Sequence, residues 1–451
     1  MLDLNANELE MLNYWKETDV LGRLRARNKG RKPFYFLDGP PYTTGDLHPG
    51  QMWVKTVKDI TLRYRRMRGY DVRDIPGYDV HGLPIENKVE KKLELKSKQD
   101  IEDKIGVDEF IKQCRAYVEA GIGRMDSDFE RFGITLDFAH PYIPFNKQYI
   151  ETGWSIFKQI SDKGLLYRDT KATLYCPHCQ TSVSQGTMEA EYMQDNDPSI
   201  AVPFKVIKND SKARISLADG DYSLLIWTTT PWTLPANVAI AVNPKELYVL
   251  AKFGDKNLIV AKKRLDYTAA MLDASPVVLE EFYGSELEGM AYANPLEENS
   301  PKQKELRKYH KVILSGELVT MDDGTGLVHI APGHGLEDYN LGKKLGLPIF
   351  CPVDGKAEYT KDAGKYEGMK VPEEANKAVM EDLKSMGVLL YKGSITHSYP
   401  HCWRCDSKLI FIATPQWFFN ISKVKKKLLS ENSKVSWHPA EAMQWQAELL
   451  A

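Results

Sequence analysis

Cysteine is scarce in this chain, with six residues in 451. Four of them fall in two closely spaced pairs, which fits a reducing compartment, the cytoplasm, better than a disulfide framework. An excess of one charge is also lacking. The formal net charge of −2 excludes a global basic field for nucleic acid and confines any such contact to local patches. No apolar run reaches the ~18 residues of a membrane span. The polar, acidic stretch Met1 to Glu10 has no signal-peptide core, so no membrane partner is expected. Internal repeats and low-complexity linkers are absent too. What is present is an ordinary globular composition, 43% hydrophobic and 27% charged, in a chain long enough for about two or three domains.

The cysteines themselves are informative because four of them form two knuckles, Cys176-Pro-His-Cys179 and Cys402-Trp-Arg-Cys405. Each knuckle offers two sulfurs on one tight turn, which suits a tetrahedral zinc site. If both hold one ion, the long stretch between them leaves a surrounding fold and returns to it, as an inserted domain does. Two unrelated redox or structural pairs are the alternative. Four thiolates leave no open coordination position, so the metal is read as structural. His178, His397 and His401 lie near enough to substitute or to stand around it. Cys114 and Cys351 are expected to be buried small apolar residues.

Residues 3–30 read as one polar helix with apolar positions such as Leu9, Leu12 and Trp15. A strand follows at Phe34–Leu37, then a loop of turn formers, a helix from Pro49 to Arg68, and a strand from Tyr70 to Ile75. Strand, loop, helix and strand in this order predict the first unit of a parallel, doubly wound sheet. Residues 86–165 are largely helical in pattern. From about 200 to 335 short β-type runs dominate: Ile200–Val206, Tyr222–Trp227, Val238–Val242, Tyr248–Val260, Val312–Leu314 and Gly326–Ile330. A helix is expected over Glu373–Met386 and a strand over Val388–Leu390. The basic runs Arg63–Arg68 and Lys423–Lys427 read as solvated faces, with phosphate contact as the alternative.

Ligands of open α/β sheets bind where strands end and helices begin. The loop Gly39 to Gly50 holds that place, with Gly45 and Gly50 permitting close backbone approach and His48 at the helix start. Free N–H groups and the positive helix end favour a phosphate there. The string DGPPYTTGDLHPGQMWVKTVKD over 38–59 resembles the first signature of class I aminoacyl-tRNA synthetases, normally His-Ile-Gly-His. Here it reads His48-Pro49-Gly50-Gln51, so glutamine replaces the second histidine. The next segment, Gly77-Tyr78-Asp79-Val80-His81-Gly82-Leu83-Pro84-Ile85-Glu86, resembles the isoleucyl branch, in its archaeal and eukaryotic-like type. The resemblance implies a Rossmann-like parallel sheet that activates isoleucine with ATP and Mg²⁺ and charges an isoleucine tRNA. It implies catalytic roles for His48, Gly50 and Gln51. Asp79 would pair the substrate ammonium, Pro41 and Tyr42 would form part of an apolar wall, and Gly45 and His81 would join the substrate site.

Two further strings lie between the knuckles. Trp227-Thr228-Thr229-Thr230-Pro231-Trp232-Thr233-Leu234-Pro235-Ala236-Asn237 is a row of hydroxyls bracketed by prolines. Gly324 to Tyr339 sets His329, His334 and the pair Glu337-Asp338 among glycines. Both are similar to the editing domain inserted in isoleucyl, valyl and leucyl synthetases. By that resemblance Asp338 binds the ammonium of a mischarged ester, while Thr228, Thr229, Thr230, Trp232, Asn237 and His329 shape the pocket. His329 is preferred to His334. One methylene discriminates isoleucine from valine by only ~1–3 kcal/mol, so a second sieve is needed. The knuckles match the zinc segments flanking this insert.

The expected fold is therefore α/β: an N-terminal helix and first half of the catalytic domain over 1–170, a first knuckle and connection over 171–195, the β-rich editing insert over 196–395, and the second knuckle with the return to the catalytic domain over 396–451. No Lys-Met-Ser-Lys-Ser-like second signature occurs. The resemblance implies a longer enzyme with an anticodon-binding domain, so a fragment, or one half of a split enzyme with a C-terminal partner, is expected. A stand-alone editing deacylase and a non-catalytic zinc-ribbon RNA-binding module are the other readings.

Overall fold

The computed structural model describes residues 3–37, 39–95, 97–183 and 190–450. It divides into two units, one of Met1–Tyr167 with Phe419–Ala451 and one of Arg168–Phe418. Asp38, in the signature loop, lies outside the described residues. No described helix is long and apolar enough to cross a membrane.

In the first unit the single helix expected over 3–30 is two, Leu4–Glu17 and Val20–Asn28. Asp19 causes the break. It takes a left-handed φ of 45° and accepts from the Gly22 N–H at 3.1 Å, which caps the second helix. The expected βαβ unit is present: strand Pro33–Tyr35, helix Pro49–Met67 and strand Asp71–Arg73, with Phe34 opposite Val72 in parallel register. Both strands are shorter than the sequence pattern suggests. Pro40, Pro41 and Pro76 remove ladder donors where the strands would continue, so only isolated bridges persist, Tyr42 with Asp79 and Gly77 with Tyr142. The Asp79 N–H donates to Pro41 O at 2.9 Å, and the Tyr142 N–H to Pro76 O at 3.0 Å. Helices Leu83–Lys92, Val107–Arg131 and Lys147–Asp162 follow. The second of these passes so close to the signature loop that a Cβ on Gly121 would stand 2.8 Å from Thr43 O. Glycine is required there.

Helix Pro49–Met67 has an unusual partition. Its buried side includes Lys55, Lys58, Asp59 and Arg66 beside Met52 and Leu62. Its outward side is an apolar stripe at alternating four- and three-residue steps: Trp53, Val57, Ile60, Tyr64 and Met67, from 51% exposed at Val57 to 85% at Met67. The basic run at its end corrects the reading as a solvated or phosphate-facing cluster. Arg66 is buried in an ion pair with Asp74, which Arg25 also reaches at 2.9 Å. Arg63 pairs with Asp59 at 2.6 Å, and Asp59 accepts from the Thr135 N–H at 2.8 Å.

The second unit is β-rich. Its largest sheet runs in the order Pro276–Tyr283, Leu247–Phe253, Lys256–Ala261, Ser223–Thr228, Ala190–Lys208 and Ala291–Tyr292, with Tyr391–Cys402 also paired to the long strand. The run expected as one strand over 248–260 turns back at Gly254, whose φ is 60°, and becomes a hairpin. Val388–Leu390 is not a strand; the ladder begins at Tyr391, opposite Ala201, and continues to Cys402 opposite Ala190. A smaller sheet places Ala239–Val242 between Val312–Leu314 and Leu327–Ile330. A third joins Ile410–Phe419, Leu166–Cys176 and Thr181–Val183, so the first knuckle is a hairpin turn. Ile200, Phe204, Leu224, Ile226, Ile240 and Leu250 are among the side chains of the common core, and helix Glu373–Ser385 packs Val379 and Leu383 on it.

Removing one partner of a buried ion pair costs more than removing both. Asp74→Leu is therefore expected to destabilise the first unit by about 3–5 kcal/mol in urea titrations. Adding Arg66→Met should restore most of that loss. Equal stability of Asp74→Leu and the parent would contradict the arrangement.

Candidate functional site

Two loops meet at the carboxyl ends of the parallel strands. His48 is the N-cap of helix Pro49–Met67: its Nδ1 accepts from the Gly50 N–H at 3.1 Å, while Gln51 Oε1 accepts from the His48 N–H at 2.9 Å. Because Nδ1 is an acceptor, a neutral His48 carries its proton on Nε2, which remains a donor for an anion at the helix end. Gln51 is thus part of a capping box, a role its three-residue spacing from His48 signals in the sequence. Pro41 is buried and Tyr42 exposed, and the Tyr42–Asp79 bridge joins this loop to the second one. Asp79 is half-buried and has no side-chain partner among the described residues, whereas His81 is exposed. A Cβ on Gly45 would meet nothing within 4 Å, so the chain itself does not require glycine there.

The second unit holds a cavity of about 330 Å³ lined by Thr228, Thr229, Thr230, Thr233, His329, His334 and Asp338, among others. Strand Ser223–Thr228 delivers the threonines, strand Leu327–Ile330 delivers His329, and helix Leu336–Leu345 begins just before Asp338. The protons can be traced. Tyr292 OH donates to Asn237 Oδ1 at 2.7 Å, and Asn237 Nδ2 donates to Ala239 O at 2.9 Å and to His329 Nδ1 at 3.4 Å. His329 therefore carries its proton on Nε2 and donates to Thr233 Oγ1 at 2.8 Å, whose hydroxyl passes on to Thr230 O at 2.8 Å. Thr230 Oγ1 stands 3.2 Å from the hydroxyls of both Thr228 and Thr233.

Asn237 is wholly buried and Trp232 nearly so, and neither lines the cavity. Asn237 instead orients His329 from behind, and Trp232 packs its ring against His334 at 4.9 Å. Thr233 and Tyr292 are links the sequence reading did not single out. Thr233 sits within the threonine-rich string, but nothing local marks Tyr292, which folding brings to Asn237.

Burial sets the charges. It holds His329 and His334 down at about 4, so both are neutral near pH 7. It also pushes the Asp338 carboxyl up to about 7, although the Ala331 N–H donates to that carboxylate at 2.8 Å and opposes the shift. No basic side chain pairs with Asp338 among the described residues. A cationic ligand would supply the missing charge.

The four knuckle sulfurs lie within 4.8 Å of one another, with Cys405 Sγ 3.4 Å from Cys176 Sγ and 3.6 Å from Cys179 Sγ. A zinc tetrahedron with ~2.3 Å bonds needs S···S separations of about 3.8 Å, so the donor set fits the ion. Of the neighbouring histidines, His178 is exposed and the other two face acids instead. His401 Nε2 meets Asp195 at 2.7 Å with Nδ1 on Asp406 O at 2.7 Å, and His397 meets Asp197 at 3.0 Å. Lys408 bridges the two carboxylates at 3.2 and 2.7 Å.

A family model described as tRNA synthetases class I (I, L, M and V) matches residues 10–451. The isoleucine–tRNA ligase of Thermococcus kodakarensis is 44% identical over 435 residues, covering 94% of this chain and 40% of that protein. That of Pyrococcus horikoshii is 44% identical over 441 residues, covering 96% and 40%. That of Methanocaldococcus jannaschii is 41% identical over 450 residues, covering 97% and 42%. The chain spans about two fifths of the length of these curated relatives. A solved structure described as "The crystal structure of GlLeuRS-CP1" aligns over 45% of this chain with a TM-score of 0.33 and 18% identity, too loose a likeness to argue from.

Asp338 binds its proton more tightly in the folded chain than in the unfolded one, where a carboxyl titrates near ~3.9. Its contribution is therefore favourable at low pH and is lost as pH rises to about 7. Asp338→Asn should melt higher than the parent by a margin that widens between pH 5 and pH 8. A margin independent of pH, read by scanning calorimetry, would count against the buried carboxyl.

Proposed function

Because the chain belongs to the class I tRNA synthetases of the isoleucine, leucine, methionine and valine group, we propose that it carries the amino-acid activation loops and the editing unit of an isoleucine–tRNA ligase. In this reading ATP, with Mg²⁺, places its phosphates at the His48-capped helix end. The Nε2 proton of His48 donates to charge that develops on them. Gln51 holds the cap and supplies a neutral donor where the family signature has histidine. Asp79, tied to Pro41 through the backbone, fixes the ammonium of isoleucine against the Pro41–Tyr42 wall.

The observation that carries the editing half is the cavity in which Asp338, a carboxylate without a cation partner among the described residues, stands with a row of hydroxyls in the same lining. A valyl ester on isoleucine tRNA brings an ammonium that pairs with Asp338. The Thr228–Thr230 segment offers hydroxyls to a water or to the terminal adenosine, and His329, locked between Asn237 and Thr233, shapes the wall rather than moving protons. Editing is needed because the synthetic pocket gains only ~1–3 kcal/mol from one methylene.

Zinc on Cys176, Cys179, Cys402 and Cys405 would be structural, since four thiolates fill its coordination and leave no place for a reacting water. The outward stripe from Trp53 to Met67 supports a further element of the reading. The relatives' remaining length, or a separate C-terminal half, would pack on that face.

Incubated with isoleucine tRNA mischarged with valine, the chain should hydrolyse the ester, and Asp338→Ala should slow it by about 100-fold. Unchanged hydrolysis relative to buffer would remove the editing function. Metal analysis should find one zinc per chain, lost in Cys176→Ser together with Cys405→Ser, with a lower melting temperature. In a full-length enzyme containing these residues, ATP–pyrophosphate exchange should prefer isoleucine to valine and leucine.

A further inference from the structure

We propose that His334, rather than His329, is the hydrogen-bond acceptor this cavity presents to a ligand: its Nε2 receives an O–H from the ribose of a bound ester or from the attacking water. The proposal rests on the deacylase reading above and gives that site a residue role it does not yet have.

Both histidines line the cavity, but their nitrogens are spent differently. His329 uses Nδ1 on Asn237 and Nε2 on Thr233, so it has nothing left for a ligand. His334 Nδ1 lies 3.1 Å from Phe411 O. A carbonyl only accepts, so Nδ1 carries the proton and Nε2 is a bare lone pair. That lone pair is buried and has no partner among the described residues. A buried acceptor without a donor is costly, and a hydroxyl entering the cavity relieves the cost.

The surroundings hold the ring in this state. Trp232 packs edge to face against it at 72°, and the Trp232 backbone N–H is anchored on Asn376 Oδ1 at 2.9 Å. A Cβ on Gly333 would stand 2.2 Å from Phe350 O, and one on Gly335 would stand 3.1 Å from Asp338 Cγ. The two glycines thus let the turn close tightly enough for His334 and the ammonium-binding carboxylate to serve one cavity. Asp338 would take the cation of the ester and His334 a hydroxyl.

Two nearly isosteric variants separate acceptor from packing. Asparagine at 334 keeps a donor for Phe411 O and loses the acceptor; glutamine places an amide oxygen near the Nε2 position. His334→Asn should lower kcat/KM for valyl ester hydrolysis by about 10- to 100-fold at an unchanged melting temperature, and His334→Gln should recover most of it. Wild-type rates in His334→Asn, or equal losses in both variants, would overturn the assignment. A tRNA whose terminal ribose lacks the free hydroxyl tells the two donors apart. A ribose donor makes its loss non-additive with His334→Asn, and a water donor makes the two losses add. If the parent chain hydrolyses nothing, the deacylase reading fails, and the acceptor is judged separately by ¹⁵N NMR of labelled histidine. The His334 Nε2 resonance should shift on adding 3′-valylamino-3′-deoxyadenosine, and a stationary resonance would overturn the proposal.

Discussion

Four sulfurs within 4.8 Å of one another are the constraint on which the second unit depends. They tie the hairpin turn after Leu166–Cys176 to the end of strand Tyr391–Cys402, two points far apart in the chain. Once Cys402 is held there, the antiparallel register opposite Ala190 follows, and with it the whole ladder up to Tyr391 and Ala201. A slip of one residue would turn every side chain of that ribbon to the other face. The pairs His397–Asp197 and His401–Asp195, cross-linked by Lys408, reinforce the same register with charge.

Downstream of that closure, burial decides chemistry. The cavity residues are polar, yet the sheet around them is buried, so His329, His334 and Asp338 are each driven toward the neutral form. Two histidines in one short motif end up with different duties because one is caught between Asn237 and Thr233 and the other leans on a carbonyl. The first unit handles charge in the opposite way. There Arg66, Asp74 and Asp59 are buried, and each is paired and hydrogen-bonded.

Much of this was legible in the chain itself. The knuckle spacing, the proline-bracketed loop before Pro49, the Asp79 segment and the glycine-flanked histidines carried the family and marked the candidate site residues, because these devices are local. A capping box needs only His48 and Gln51, and a βαβ unit needs only its strand, loop and helix pattern. Failures came where long-range partners decide. One helix over 3–30 split because Asp19 prefers to cap, and Val388–Leu390 stayed out of the ladder although its composition suits a strand. The arginines after Asp59 looked like a solvated run until Asp74 and Thr135 were folded against them.

By itself, then, the sequence determined the family and singled out the candidate site residues, because motif, spacing and side-chain type are fixed when the chain is made. Only the tertiary structure decided what those residues can do. It moved Asn237 and Trp232 behind the wall, left Asp338 without a cation among the described residues, and distinguished the nitrogens of His329 from those of His334. The physical reason is that a proton's location depends on the donor or acceptor facing it, and those partners, Tyr292 and Phe411 among them, come from strands remote in sequence.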